Sequence, residues 1–186
     1  TEADRLSSLV QNLLSISLME MVNLTINTAL VKTDLLVKDT FAAIETAASN
    51  KNIFIEKNVS ENSPSLMGDK ELLKVAIINI LSNSVKYTPQ NGKVSLTLFN
   101  QNGHIIFDVV DTGCGISPKD LPYIFDKTYR SADPLVREVS GSGLGLAITQ
   151  EIIQLHDGEI EVHSESGKGA RFTIKLPQEE YNLGIE

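Results

Sequence analysis

Two stretches that alternate apolar with polar residues meet at Asn102-Gly103, and this pairing restricts the fold more than any other feature of the chain. Val94, Leu96 and Leu98 lie on one side of it, Ile105, Phe107 and Val109 on the other. Residues two apart on a strand share a face, and Asn-Gly suits the positive φ angles of a two-residue turn. The segment therefore predicts an antiparallel hairpin with one apolar face. Ile160 and Val162 repeat the alternation, as do Phe172, Ile174 and Leu176, with Ser166-Gly-Lys-Gly169 as a second hairpin turn. Ile53–Val59 adds a further strand. A one-sided sheet needs helices over it, and the chain offers three: Leu35–Ala48, a run that Asp69 would N-cap, and Leu144–Leu155. The fold these elements predict is a two-layer α/β sandwich, a mixed sheet covered on one face by three helices. No internal repeat or low-complexity tract interrupts it.

Ahead of this unit, Leu6, Leu9, Val10, Leu13 and Leu14 fall at spacings of three and four, a helical seam that needs a partner to cover it. An isolated helix of this length is marginal in water.

The run after Asp69 carries the first functional signal. Advancing 100° per residue, Leu73, Ile77, Ile80, Leu81 and Ser84 cluster within about 100° and would face a core. Leu72, Ala76, Asn79, Asn83, Lys86 and Tyr87 form an adjoining strip, with two amides one turn apart and an ammonium beside them. An amide buried without hydrogen bonds costs roughly 1–3 kcal/mol. Either neighbouring loops satisfy Asn79 and Asn83, or a polar ligand does.

Two glycine segments tilt the choice toward a ligand. Asp111-Thr-Gly113-Cys-Gly115-Ile116 follows the apolar strand, where glycines let backbone approach a ligand closely. An aspartate there can accept from an exocyclic amine such as adenine's, although alone it is as ordinary as any turn residue. Gly141-Ser142-Gly143-Leu144-Gly145-Leu146 then opens a helical run and puts free N–H groups at a helix N-terminus, a natural phosphate cradle. The spacing is not that of the dinucleotide-binding fingerprint. The preceding residues, Asp126–Ser140, are polar and charged and read as a loop.

In these residues the chain resembles the catalytic, ATP-binding part of two-component sensor histidine kinases, within the superfamily that includes gyrase, heat-shock chaperone and mismatch-repair ATPases. Asn79–Thr88 is similar to the family's N box, Asp111–Ile116 to its G1 box, Tyr123–Arg130 to its F box and Gly141–Ile148 to its G2 box. Each motif alone is weak, whereas four in order at family-like spacing are specific. The resemblance implies the end of a second dimerisation helix over residues 1–22, a linker over 23–28, the ATP-binding domain over 29–177 and a tail over 178–186.

The resemblance further implies ATP and Mg²⁺ as ligands. Asn83 would ligate the metal, Asp111 would bind the adenine amine, Tyr87 would pack on the base and Lys86 would face the phosphates. Gly113, Gly115 and Ile116 would line the base end. Phe125, Lys127, Tyr129 and Arg130 would contribute from the F box, with Gly141, Ser142, Gly143, Leu144, Gly145 and Leu146 around the phosphates and residues 126–142 as a lid. Asn79 and Arg130 would take part in catalysis. The implied partners are the phosphoacceptor segment of the same full-length protein, itself a homodimer, and the receiver domain of a response regulator. The domain is expected in the cytoplasm, free or carried by a membrane-anchored receptor.

Composition agrees. A chain of 186 residues with 41% hydrophobic content can bury one core, and one cysteine, Cys114, rules out an internal disulfide framework and reads as a small filler of the glycine turn. A net charge of -8 argues against nonspecific binding to nucleic acid or anionic membrane. No stretch reaches the ~18 to 20 apolar residues of a membrane span, and no signal peptide is evident.

Three residue types set the chemistry. His104, His156 and His163 read as surface or capping residues, in no metal-binding pattern and in no setting suited to accept phosphate. Asn79 stands where hydrolytic relatives carry a glutamate, and an amide cannot act as a base toward water, which favours a kinase over a hydrolase. Thr128 stands where the F box usually has a second phenylalanine, so the lid base should lose an anchor worth ~1.5 to 3 kcal/mol. A binding module that docks response regulators without phosphoryl transfer, and a hydrolytic ATPase, are the competing functions.

Overall fold

The computed structural model describes residues 26–60, 63–133, 136 and 141–178. The expected dimerisation helix over residues 1–22, part of the linker and most of the tail lie outside them.

Strand β1 (Ala29–Lys32) leads directly into α1 (Thr33–Asn50), followed by β2 (Phe54–Val59) and β3 (Ser65–Gly68). Helix α2 (Lys70–Tyr87) precedes the hairpin of β4 (Lys93–Gln101) and β5 (His104–Asp111). A 3-10 turn at Leu121–Tyr123, helix α3 (Gly145–Leu155) and strands β6 (Glu159–Ser164) and β7 (Ala170–Pro177) complete the order. The main sheet runs β2-β4-β5-β7-β6; β2 pairs parallel with β4 and the other neighbours are antiparallel, so the sheet is mixed as expected. Asn102 and Gly103 adopt φ of 52° and 75°, the left-handed pair that a tight hairpin turn requires.

The inward residues Val94, Leu96, Leu98, Ile105, Phe107, Val109 and Ile174 are buried and meet the apolar sides of all three helices. Helix α2 contacts both α1 and α3 and lies between them. On the opposite face of the sheet Asp108 is held in a fork by Arg171 Nε and a second guanidinium nitrogen, both at 2.8 Å, with Thr173 Oγ1 donating at 3.0 Å.

Asp69 caps α2 as expected, its Oδ1 accepting from the N–H groups of Glu71 and Leu72 at 3.1 Å. The structure adds two features. Strands β1 and β3 pair antiparallel as a separate two-stranded sheet, placing Val31 opposite Leu66, both buried. His156, expected at the surface or as a cap, is buried: its Nδ1 faces the Ile152 carbonyl at 2.7 Å and its Nε2 accepts from Asp69 N–H at 2.9 Å. The histidine thus joins the end of α3 to the start of α2, and it is at once a cap and a core residue.

Candidate nucleotide site

Helix α2 divides as its periodicity predicts over its second half, whereas Leu72 and Ala76 of the expected strip are buried in the core. Leu73, Ile77, Ile80, Leu81 and Ser84 are buried, while Asn79, Asn83, Lys86 and Tyr87 are half-buried and line a cleft of about 460 Å³. Asn79 Nδ2 donates to the Gly145 carbonyl at 3.3 Å. The Asn83 carboxamide, one turn on, has no hydrogen-bond partner among the described residues and faces the cleft. Lys86 Nζ lies 5.4 Å from the Tyr87 ring centroid. Burial lowers the Lys86 pKa and the nearby Arg130 charge lowers it further, so this ammonium sits where added negative charge would be welcome. Burial raises the Tyr87 pKa, opposed by Arg130.

Asp111 ends β5 at one end of the cleft and is 6% exposed. Its Oδ1 accepts from Gly113 N–H at 2.8 Å and from Ala170 N–H at 3.2 Å. Oδ2 has no well-formed hydrogen bond among the described residues, although the Ser84 hydroxyl lies close to the carboxyl. Burial raises the carboxyl pKa above its usual value, and the two N–H donors oppose the shift. Ser84 Oγ is buried beside the cleft next to the Asp111 carboxyl, near enough to help lower its pKa but without a hydrogen bond of full geometry. Backbone packs tightly around the aspartate: a Cβ on Gly115, at φ 69°, would meet the Glu165 carbonyl oxygen at 2.1 Å. Cys114 lines the cleft, and burial raises its thiol pKa, which suits the inert filler expected from the sequence.

The other end is backbone-rich. Helix α3 starts without a side-chain cap, and Gly143, Gly145 and Leu146 place its N-terminus on the cleft wall. Gly141 lies against Lys86, whose Nζ would be 2.8 Å from a Cβ built there. Gly143 adopts φ 73° and its carbonyl accepts from Thr128 N–H at 3.1 Å. Thr128 is exposed, at φ 66°, and so anchors nothing in an apolar pocket.

Of the residues marked in the sequence, Asn79, Asn83, Lys86, Tyr87, Asp111, Gly115, Ile116, Tyr129, Arg130, Gly141, Ser142, Gly143, Gly145 and Leu146 line one cleft. Gly113, Phe125, Lys127 and Leu144 do not line it. Gly113 instead packs against the Tyr87 carbonyl, Leu144 is buried in the core and Lys127 is exposed. Part of the expected lid, residues 134–135 and 137–140, lies outside the described residues. The cleft also contains Ser84 from the core stripe, Ser131 from the expected lid, and three residues outside every motif: Asp120, and Ala170 and Phe172 from β7. Ser84 alone carried a signal, being the one hydroxyl in an otherwise aliphatic stripe.

An acceptor pair at one end, an uncapped helix with two cations at the other, and an available amide between them define a nucleotide-binding domain. The chain belongs to the family of histidine kinase-, DNA gyrase B- and HSP90-like ATPases, which matches residues 68–180. The sensor-like histidine kinase SenX3 of Mycobacterium tuberculosis (strain ATCC 25618 / H37Rv) is 34% identical over 176 residues, 95% of this chain and 43% of SenX3. Full-length ShkA, solved in complex with AMPPNP, superposes with a TM-score of 0.79 at 30% identity, over 95% of this chain and 36% of ShkA. The mycobacterial sensor histidine kinase MprB superposes with a TM-score of 0.71 at 27% identity, over 81% of this chain and 97% of that one. The chain thus spans less than half the length of SenX3 and corresponds to the ATP-binding catalytic domain of a sensor histidine kinase. No described helix is long and apolar enough to cross a membrane.

Proposed function

We propose that the domain binds ATP with Mg²⁺ in this cleft and transfers the γ-phosphoryl group to a histidine on the dimerisation segment of its full-length protein, for relay to a response-regulator receiver. The observation that carries the reading is the division of the cleft: the Asp111 carboxyl and the adjoining Ser84 hydroxyl suit the polar edge of adenine, and Lys86, Arg130 and the α3 N-terminus suit phosphates. Tyr87 would flank the base. Asn83 fits Mg²⁺, since its carboxamide has no hydrogen-bond partner among the described residues and this ion takes few protein oxygens alongside phosphate and water. When bound, the ion would offset charge on the phosphates.

The acceptor imidazole would attack phosphorus with its own lone pair as the bond to the bridging oxygen breaks and ADP leaves. Such a reaction depends on positioning and electrostatics more than on a protein base. Asn79 is an amide turned toward Gly145, so the chain supplies no carboxylate there to activate water. None of the described histidines lines the cleft: His104 and His163 are exposed and His156 is held by Ile152 and Asp69. The test is incubation with γ-labelled ATP, with and without the dimerisation segment. Label on that segment, acid-labile and alkali-stable, is the expected result. ATP binding without transfer in either format would support a binding module, steady phosphate release a hydrolase, and self-labelling would overturn the division of labour.

A further inference from the structure

Asp120 stands at the cleft wall outside every motif that marks the site, and each of its carboxylate oxygens accepts a side-chain hydrogen bond. Oδ1 accepts from the Tyr129 phenol at 2.7 Å, and Oδ2 accepts from the Ser131 hydroxyl at 2.6 Å. These two donors flank Arg130, which lines the cleft and lies near enough to Lys86 to lower its pKa. The clamp is itself anchored. Asp120 N–H donates to the Ser117 carbonyl at 3.0 Å, and the Asp120 carbonyl accepts from Tyr123 N–H at 2.9 Å, while the Tyr123 and Tyr129 rings meet at 5.6 Å between centroids. Ser131 Oγ in turn accepts from Asp133 N–H at 3.1 Å. Thr128, exposed and left-handed, buries no side chain that could hold this segment. Hydrogen bonds from Ser131 first and Tyr129 second hold the Asp120 carboxyl below its usual pKa, so the clamp is ionised at neutral pH.

We infer that Asp120 is a positioning residue: by gripping the residues on both sides of Arg130, it aims the guanidinium at the phosphate end of the cleft. A guanidinium on an ungripped loop would have to be ordered by the ligand, and that ordering would be subtracted from affinity. The inference rests on the ATP-binding reading above.

The test uses the full chain, hydrogen exchange of the amides of residues 129–131, and calorimetric titration with ATP. Asp120→Ala should speed that exchange and weaken ATP binding about tenfold, the loss typical of hydrogen bonds to a charged group. In an Arg130→Ala background the same change should cost less than about twofold, because its effect runs through Arg130. Tyr129→Phe combined with Ser131→Ala removes the donors, leaves the carboxylate in place and should reproduce both effects. Unchanged exchange, or an equal loss of affinity with and without Arg130, overturns the role of Asp120 while the nucleotide reading stands. If the unmodified chain binds no ATP, the nucleotide reading fails and the role falls with it; faster exchange in Asp120→Ala would then show that the grip on residues 129–131 is real but aims nothing at phosphate.

Discussion

Gly169 lies so close to Asp111 that a Cβ built on it would stand 2.0 Å from the Asp111 carbonyl oxygen. The turn between β6 and β7 is thereby pressed against the end of β5, and Ala170, the next residue, donates its N–H to the Asp111 carboxylate. The Asp111 carboxylate is therefore fixed both by its own motif, through Gly113 N–H, and by a segment 59 positions away, through Ala170 N–H. Gly169→Ala must move backbone and adopt φ 84°, a conformation costly for any residue with a Cβ. We expect a stability loss of about 1–3 kcal/mol and weaker ATP binding. Denaturant unfolding alongside ATP titration checks both, and full stability in the variant would show that the turn yields without disturbing Asp111.

Asp111→Asn should weaken ATP binding by roughly 1–3 kcal/mol, about 5- to 150-fold, because an amide group would meet the adenine amine donor to donor. Calorimetry with ATP and GTP reads the effect; unchanged ATP affinity removes Asp111 from the base-reading role.

The same residue predicts a pH dependence. Burial raises the folded pKa of Asp111 above its unfolded value. Its contribution to stability is then fully present below the unfolded pKa and is lost as pH rises through the folded one. Asp111→Asn should remove that fall, so the stability of the variant relative to the parent should rise across this interval. ATP affinity of the parent should run the other way, since the ionised carboxylate is the stronger acceptor. Unfolding curves that stay parallel from acid to neutral pH would contradict the assignment.

Asn83→Ala should abolish the enhancement of ATP binding by Mg²⁺ while leaving α2 intact, since alanine is the better helix former. Titration with ATP in the presence of Mg²⁺ and in the presence of a chelator separates metal from base binding. A persistent Mg²⁺ effect in a folded variant would move the metal to another residue.

Much of this arrangement is legible in the sequence wherever local chemistry decides it. Asn102-Gly103 turns because its own residues tolerate positive φ, Asp69 caps because its side chain reaches N–H groups two and three residues ahead, and α2 displays its polar strip at 3.6-residue spacing. The features that the sequence does not display are non-local. The β1–β3 pair joins two strands of 4 residues each, too short for a periodicity signal, across the whole length of α1. His156 reaches Asp69 across 87 positions, and Ala170 reaches Asp111 across 59. Asp120 looks like a solvated charge until Tyr129 and Ser131 fold back onto it.

Thr128 shows how a local expectation can miss. The absent aromatic suggests an empty apolar pocket and a benefit from Thr128→Phe, yet the side chain points to solvent from a left-handed backbone. Thr128→Phe should therefore give no added hydrogen-exchange protection to residues 126–133. Thr128→Asn should stabilise the domain by about 1 kcal/mol, because a β-branched residue is poorly suited to positive φ and asparagine tolerates it. A gain for phenylalanine, or none for asparagine, in thermal unfolding would restore the buried-anchor view.

Asn79 offers the most direct test of why this cleft should transfer phosphate rather than hydrolyse ATP. Its amide nitrogen donates to the Gly145 carbonyl, an oxygen that also accepts from Thr149 Oγ1 at 2.9 Å. A carboxylate cannot donate there, so Asn79→Glu should cost about 1 kcal/mol for the lost hydrogen bond. The longer side chain would turn away from the carbonyl and extend toward the phosphate end, where its oxygens could orient water or take its proton. General bases of this kind contribute about 10²- to 10⁴-fold, so even a poorly placed one should raise steady phosphate release at least tenfold. Transfer to the dimerisation segment should not gain, because an imidazole brings its own lone pair and depends on docking. Phosphate release measured beside label transfer, in a variant shown to bind ATP, decides the matter: if hydrolysis stays at the level of the parent, something other than the amide at position 79 suppresses it.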